Sequence, residues 1–282
     1  MTPRAVAGAT TTEGTMDAFE AEYGTVTLTI EDRLAHVEFN RPETLNSLTH
    51  GMFADLVDAG RFVEARDDVA AVVLTGKGAG FCSGLDMSEF KKMAGGQAEL
   101  PEAREGVGPA KALAQQAVFV WQQVEAPVIA AVQKVAFGGG LQIALGADLR
   151  VAQPDAKLSM MEINWGIVPD MCGTQLLPRV VGAGNAKRMI FTGEVVTGQR
   201  AYEMGLVEEL AQDANARALE LGRELAGKSR SALAQAKMLV DLSGRASLSD
   251  AFAAEQRAIR SLIGGEEQAE AVRKRMRELG KG

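Results

Sequence analysis

Cysteine and histidine are scarce in this chain, and their scarcity removes whole classes of chemistry. Two cysteines, Cys82 and Cys172, cannot staple a disulfide scaffold, and their paucity fits a reducing cytoplasm. With only His36 and His50 beside them, no metal-ligand spacing can be written, so no metal site is expected. No Ser-His-Asp arrangement is evident either. Aromatic residues make up 5% of the chain, and no long basic tract offsets a formal charge of -7, which argues against nucleic acid as a partner. No apolar run approaches the roughly 20 residues of a membrane helix, because Gln, Lys or Gly interrupts the longest ones, so no membrane partner is expected.

What remains is ample material for a core: 46% of 282 residues are hydrophobic. Residues 1–17 are rich in Thr, Ala and Gly and lack an apolar signal segment, and are expected to be a disordered tail. Val26, Leu28 and Ile30 alternate with Thr27, Thr29 and Glu31, and Leu34 to Phe39 repeats the pattern, which predicts a hairpin ended at Pro42. A helix follows from Ser47 to about Arg66, then a strand over Ala70 to Leu74. Hairpin, helix and strand in that order begin an α/β fold with parallel pairing.

Two glycine-rich bends organise the chain. In Pro127 to Val151, a buried strand (Val128 to Val132) leads through Gly138, Gly139 and Gly140 into a helix carrying Leu141, Ala144, Leu145 and Asp148 at helical spacing. Glycine permits close approach to the main chain, and the first amides of a helix have no internal partner, so the bend suits an oxygen that is or becomes negative. The spacing fits neither dinucleotide nor phosphate loops. Upstream, Phe81-Cys82-Ser83-Gly84-Leu85-Asp86 forms the second bend, with Asp86 and Ser88 able to cap a short helix.

Together these motifs resemble the crotonase (enoyl-CoA hydratase/isomerase) superfamily. The resemblance spans nearly the whole chain from Tyr23 and rests on five motifs in order. They are Asn40-Arg41-Pro42 with Leu45-Asn46, F-C-S-G-L-D at 81–86, F-G-G-G-L-Q at 137–142, M-E-I-N-W-G-I-V-P-D at 161–170 and G-T-Q-L-L-P-R-V-V-G at 173–182. It implies an α/β fold of repeated ββα units wound into a spiral over residues 18–205. A C-terminal helical region, 206–282, would build trimers or hexamers. It also implies an acyl-CoA thioester as substrate, with no cofactor beyond the coenzyme A of the substrate itself. Motif alignment places the two backbone donors of an oxyanion hole on Ser83 and Gly139, and the acyl-CoA binding set on Ser83, Gly84, Leu85, Asp86 and Gly139. Fixed donors aimed at an enolate oxygen need no reorganisation as charge develops.

The reaction then turns on Gln142, Glu162 and Asp170. Hydratases resembling this chain carry glutamates at both 142 and 162, but Gln142 has no proton to give near neutral pH, although it can still orient a water. Glu162 stands where related isomerases keep one catalytic glutamate, which can remove a proton from Cα and return it to Cγ. Set among Met161, Ile163 and Trp165, it is expected to be buried with a raised pKa. Asp170 matches a second proton-transfer group of related dienoyl-CoA isomerases, or it caps the helix of Thr174 to Val181. Double-bond isomerisation is the leading expectation. Hydration is one alternative, and a non-catalytic acyl-CoA-binding subunit another.

Less informative stretches complete the chain. Residues 88–108 read as a lid over the acyl chain or as a solvated loop, and 109–124 as a helix. Beyond Gly184 the pattern is mostly helical, with helices expected at 214–227, 230–242, 246–263 and 266–279.

Overall fold

The computed structural model describes residues 18–97 and 103–281. The tail expected at 1–17, and residues 98–102 of the stretch read as lid or loop, lie outside the described residues.

The chain opens with a hairpin, β1 (Val26–Glu31) and β2 (Leu34–Phe39), turned by Asp32 and Arg33 with φ of 47° and 68°. Positive φ at both central residues gives the turn whose twist matches its strands. Thr49 then caps α1 (His50–Glu64) by accepting from the Met52 amide, and β3 (Ala71–Gly76) follows. From here a unit repeats. A strand of the large sheet leads to a short extended segment in a second layer, and then to a helix.

In the first unit β3 leads to the 81–86 bend, then α2 (Met87–Ala94) and α3 (Leu113–Gln123). In the second, β4 (Val128–Val132) leads to β5 (Val135–Phe137) and α4 (Gly139–Gly146). In the third, β6 (Leu149–Ala152) leads to β7 (Lys157–Ser159), a single helical turn at Glu162–Trp165, and α5 (Gly173–Thr192). α5 breaks at Gly182, whose φ of 77° and ψ of 157° are not helical.

The remainder comprises β8 (Val196–Thr197), α6 (Gly198–Glu203), β9 (Glu209–Leu210) and the helices α7 (Ala214–Ala226), α8 (Arg230–Leu242), α9 (Leu248–Leu262) and α10 (Glu266–Glu278).

The large sheet runs β1-β2-β3-β4-β6-β9, parallel except for the hairpin, and the small one β5-β7-β8. β3 and β4 are buried on both faces, as parallel strands with helices on both sides are. Alternation sorts their side chains. Val72, Leu74, Val128, Ala130 and Val132 join the main core with Leu56, Val57, Val120 and Trp121 of α1 and α3. Ala71, Val73, Ile129 and Ala131 meet Ala214, Ala218 and Ala226 of α7. The core therefore runs past the boundary expected at residue 205, since β9 extends the sheet and α7 covers one face of it.

Asp148 departs from its expected place in α4. The helix stops at Gly146, and the Asp148 carboxylate accepts from the Val128 amide at 2.7 Å and pairs with Lys237 Nζ at 2.8 Å. No helix among the described residues is long and apolar enough to cross a membrane.

Candidate active site

The two glycine bends meet in the second layer. Cys82 and Ala136 form a parallel bridge, with the Cys82 amide donating to Val135 at 3.1 Å and the Phe137 amide to Cys82 at 3.1 Å. Contact is close enough to demand glycine on both sides. A Cβ on Gly140 would stand 2.6 Å from the Cys82 carbonyl, and one on Gly84 2.7 Å from the Phe137 carbonyl. The Cys82 thiol, wholly buried beneath the bends, is pushed up to about 12 by desolvation and is inert as a nucleophile.

Which amides are free follows from the bridges. The Ser83 amide, expected to be a donor to substrate, instead donates to the Leu45 carbonyl at 2.9 Å, and Ser83 Oγ donates to Thr44 at 2.9 Å. Two residues on, Leu48 and Leu85 form a second parallel bridge. Leu48 donates to the Gly84 carbonyl at 2.8 Å and accepts from the Asp86 amide at 2.9 Å. In that pattern the N–H of Leu85 itself points away from Leu48. Gly84, at φ 91°, reverses the facing between residues 83 and 85. Among the described residues neither the Leu85 amide nor the Gly139 amide, at the first position of α4, has a hydrogen-bond partner.

Both bends border one cavity of about 350 Å³. Ser83, Gly84, Leu85, Gly139, Gln142, Glu162 and Asp170 line it, whereas Asp86 does not. The Asp86 carboxylate holds the bend together. It accepts from Ser47 Oγ at 2.6 Å, from the Ser88 amide at 3.0 Å and from the Arg41 guanidinium at 3.2 Å, and these bonds, Ser47 first, keep its pKa well below the ordinary carboxylate range.

Glu162 is buried, but not by the neighbours expected to bury it, since Ile163 and Trp165 are 45% and 47% exposed. Its Oε1 accepts from Gln142 Nε2 at 2.6 Å, while Oε2 is buried and has no partner among the described residues. Desolvation pushes the carboxyl above the usual glutamate range, the Gln142 bond works against that rise, and the charge of Asp170 adds to it. The amide orientation of Gln142 is fixed by its own oxygen, which accepts from the backbone of Met171 and of Gly173, each at 2.9 Å. Gly173 must be bare for this, as a Cβ there would lie 2.6 Å from that oxygen.

Asp170 also has a raised pKa, through partial desolvation offset by its own backbone amide. It does not cap α5. That position belongs to Cys172 at φ 68°, whose thiol burial pushes up to about 11. His50, Glu89, Phe90 and Trp165 also line the cavity, and nothing in their spacing marks them out in sequence. Among the described residues no group of three or more His, Cys, Asp or Glu side chains gathers as a metal site would require.

Two unpaired main-chain amides and a buried carboxylate border one largely apolar cavity, an arrangement suited to an acyl group whose carbonyl oxygen gains charge. Comparison with known proteins agrees. The sequence model of the enoyl-CoA hydratase/isomerase family matches residues 29–277, and the chain belongs to that family. It is 31% identical over 255 residues to the short-chain-enoyl-CoA hydratase of Clostridium acetobutylicum, covering 89% of this chain and 94% of that one. It is 35% identical over 191 residues to the crotonyl-CoA hydratase of Syntrophomonas wolfei, covering 67% and 70%. The crystal structure of an enoyl-CoA hydratase from Bacillus anthracis superposes with a TM-score of 0.79 at 26% identity, over 90% of this chain and 96% of that one. The ββα spiral expected from the motifs is thus the fold of this chain.

Proposed function

We propose that the protein shifts the double bond of an enoyl-CoA thioester, with Leu85 and Gly139 as oxyanion donors and Glu162 as the proton carrier. Leu85 replaces Ser83 in this role because the Ser83 amide is already bonded to Leu45. Glu162 Oε2 removes a proton from Cα of a 3-enoyl thioester, and the electrons move onto the carbonyl oxygen held by the two amides. The enolate collapses as the same carboxyl returns the proton to Cγ, giving the 2-enoyl isomer and the original carboxylate. Asp170, facing the same cavity, assists as a second proton-transfer group. No separate cofactor enters, since coenzyme A is part of the substrate.

One observation carries the choice of reaction. Activating a water requires an acceptor for its proton, and both lone pairs of the Gln142 oxygen are taken by Met171 and Gly173. Gln142 can only donate, and its donation goes to Glu162. That leaves one open carboxylate oxygen, which suffices for a shuttle between two carbons of the same substrate.

Hydration is the second reading, favoured by the names of the relatives. In that case the remaining hydrogen of Gln142 Nε2 would hold the water while Glu162 Oε2 takes its proton. Initial rates with a 3-enoyl-CoA and a 2-enoyl-CoA, for the parent, Glu162→Gln and Gln142→Glu, decide between them. The expected result is isomerisation by the parent, loss in Glu162→Gln, and hydration gained only in Gln142→Glu. Fast hydration by the parent overturns the choice. The same family reading carries an expectation of trimers, supported by the apolar surface that α9 leaves uncovered.

A further inference from the structure

Phe90 and Trp165 stack with ring centroids 4.3 Å apart and planes 22° from parallel. They join two elements that the core scarcely holds. α2 buries no side chain, and the turn of Glu162–Trp165 buries only Glu162 itself. Yet both wall the cavity, α2 with Met87, Phe90 and Met93, the turn with its base and its tryptophan. Trp165 closes the single helical turn that Glu162 begins, so a contact that restrains its side chain also restrains the short turn carrying the carboxylate. Phe90 lies in the first turn of α2, whose cap, Asp86, directly follows Leu85. The ring pair therefore ties the element behind one oxyanion donor to the element bearing the base. The Gln142 bond fixes only one oxygen of Glu162.

We infer that Phe90 and Trp165 are positioning residues, whose stack sets Glu162 against the Leu85 and Gly139 amides once an acyl group lies beneath the rings. The inference rests on the reading of Glu162 as the base. A base displaced by about 1 Å can lose about a hundredfold in rate while substrate still binds.

The test uses the full chain and the variants Phe90→Ala, Trp165→Ala, their double, and Phe90→Tyr. Each alanine variant is expected to lose about a hundredfold in kcat with KM nearly unchanged. The double is expected to be no worse than either single, and Phe90→Tyr to recover the parent rate. Additive losses, a change in KM alone, or unaltered kcat overturns the inference.

A readout independent of turnover comes from tryptophan emission, since the chain has two tryptophans and Trp121 is fully buried. Phe90→Ala is expected to make Trp165 more accessible to acrylamide, and a saturated acyl-CoA to alter emission in the parent but not in that variant. If the parent turns over no enoyl-CoA, the functional reading falls, and the stack is judged on emission alone. Equal quenching in parent and Phe90→Ala then sinks it.

Discussion

The Gln142 side-chain nitrogen lies 2.6 Å from Glu162 Oε1, and the oxygen of the same amide is held by two backbone donors. Gln142 is thus a one-way donor that can stabilise the Glu162 carboxylate but cannot share a proton with it. With Glu162 as the proposed base, the acidic limb of kcat/KM is expected to report its ionisation and to lie above the ordinary glutamate range, because burial raises that group. In Gln142→Glu, a second carboxyl takes the place of the donor. The lowering bond becomes like-charge repulsion, so the limb is expected to move further up in pH. A pH–rate profile of both proteins measures this, and a limb that moves down contradicts the assignment.

The assignment of donors is separable at the level of single atoms. An amide-to-ester replacement at residue 85 removes one N–H, and is expected to cost on the order of a hundred- to a thousandfold in kcat with little change in melting temperature. The same replacement at residue 83 breaks the bond to Leu45, and is expected to lower the melting temperature by loss of a hydrogen bond worth about 1 kcal/mol while sparing kcat. The reverse pattern would return the role to Ser83.

Sequence made part of this plain and concealed part of it. The hairpin was legible because one of its faces is buried and alternation follows. The C-terminal helices were legible from apolar residues at helical spacing, and Asp213, Ser229 and Ser247 cap the starts of three of them. β5, β7 and β8 are two or three residues long, too short for any period to register, and so went unread. The unpaired amide lies two residues beyond Ser83, which sequence did not reveal because the direction of an amide depends on the peptide plane. The signal lay in Gly84, whose positive φ turns residue 85 to face opposite to residue 83. The Gln142 contacts join residues about thirty positions apart, which only the fold brings together.

The glycines of the bend at 138–140 are expected to differ in tolerance. In Gly140→Ala the new methyl meets the rigid Cys82 backbone, so a loss of about 1–3 kcal/mol in stability is expected along with activity. In Gly139→Ala it meets Leu48 Cδ1 and Met171 Sδ, the ends of side chains that can move, and the smaller loss should fall on kcat. Thermal melts and initial rates on the two variants rank them.

Leu248 and Phe252 of α9 are 73% and 58% exposed, an apolar pair on a helix that buries Ala254 and Ala258 on a different face. If the chain forms the proposed trimer and this face is its contact, Leu248→Glu with Phe252→Glu is expected to shift the mass found by light scattering from three chains to one. An unchanged mass places the contact elsewhere.

The floor of the cavity is made by bends interlocked through Cys82 and Ala136, deep in the protein, while its roof is α2 and a turn lying on the surface. α2 buries no side chain, so most substitutions there meet few neighbours, whereas a Cβ at Gly84 or Gly140 in the floor meets backbone at once. Under the proposed function, changes at Met87 and Met93 of α2 would fit the cavity to a different acyl tail, while Glu162 and the bends beneath it stay as they are.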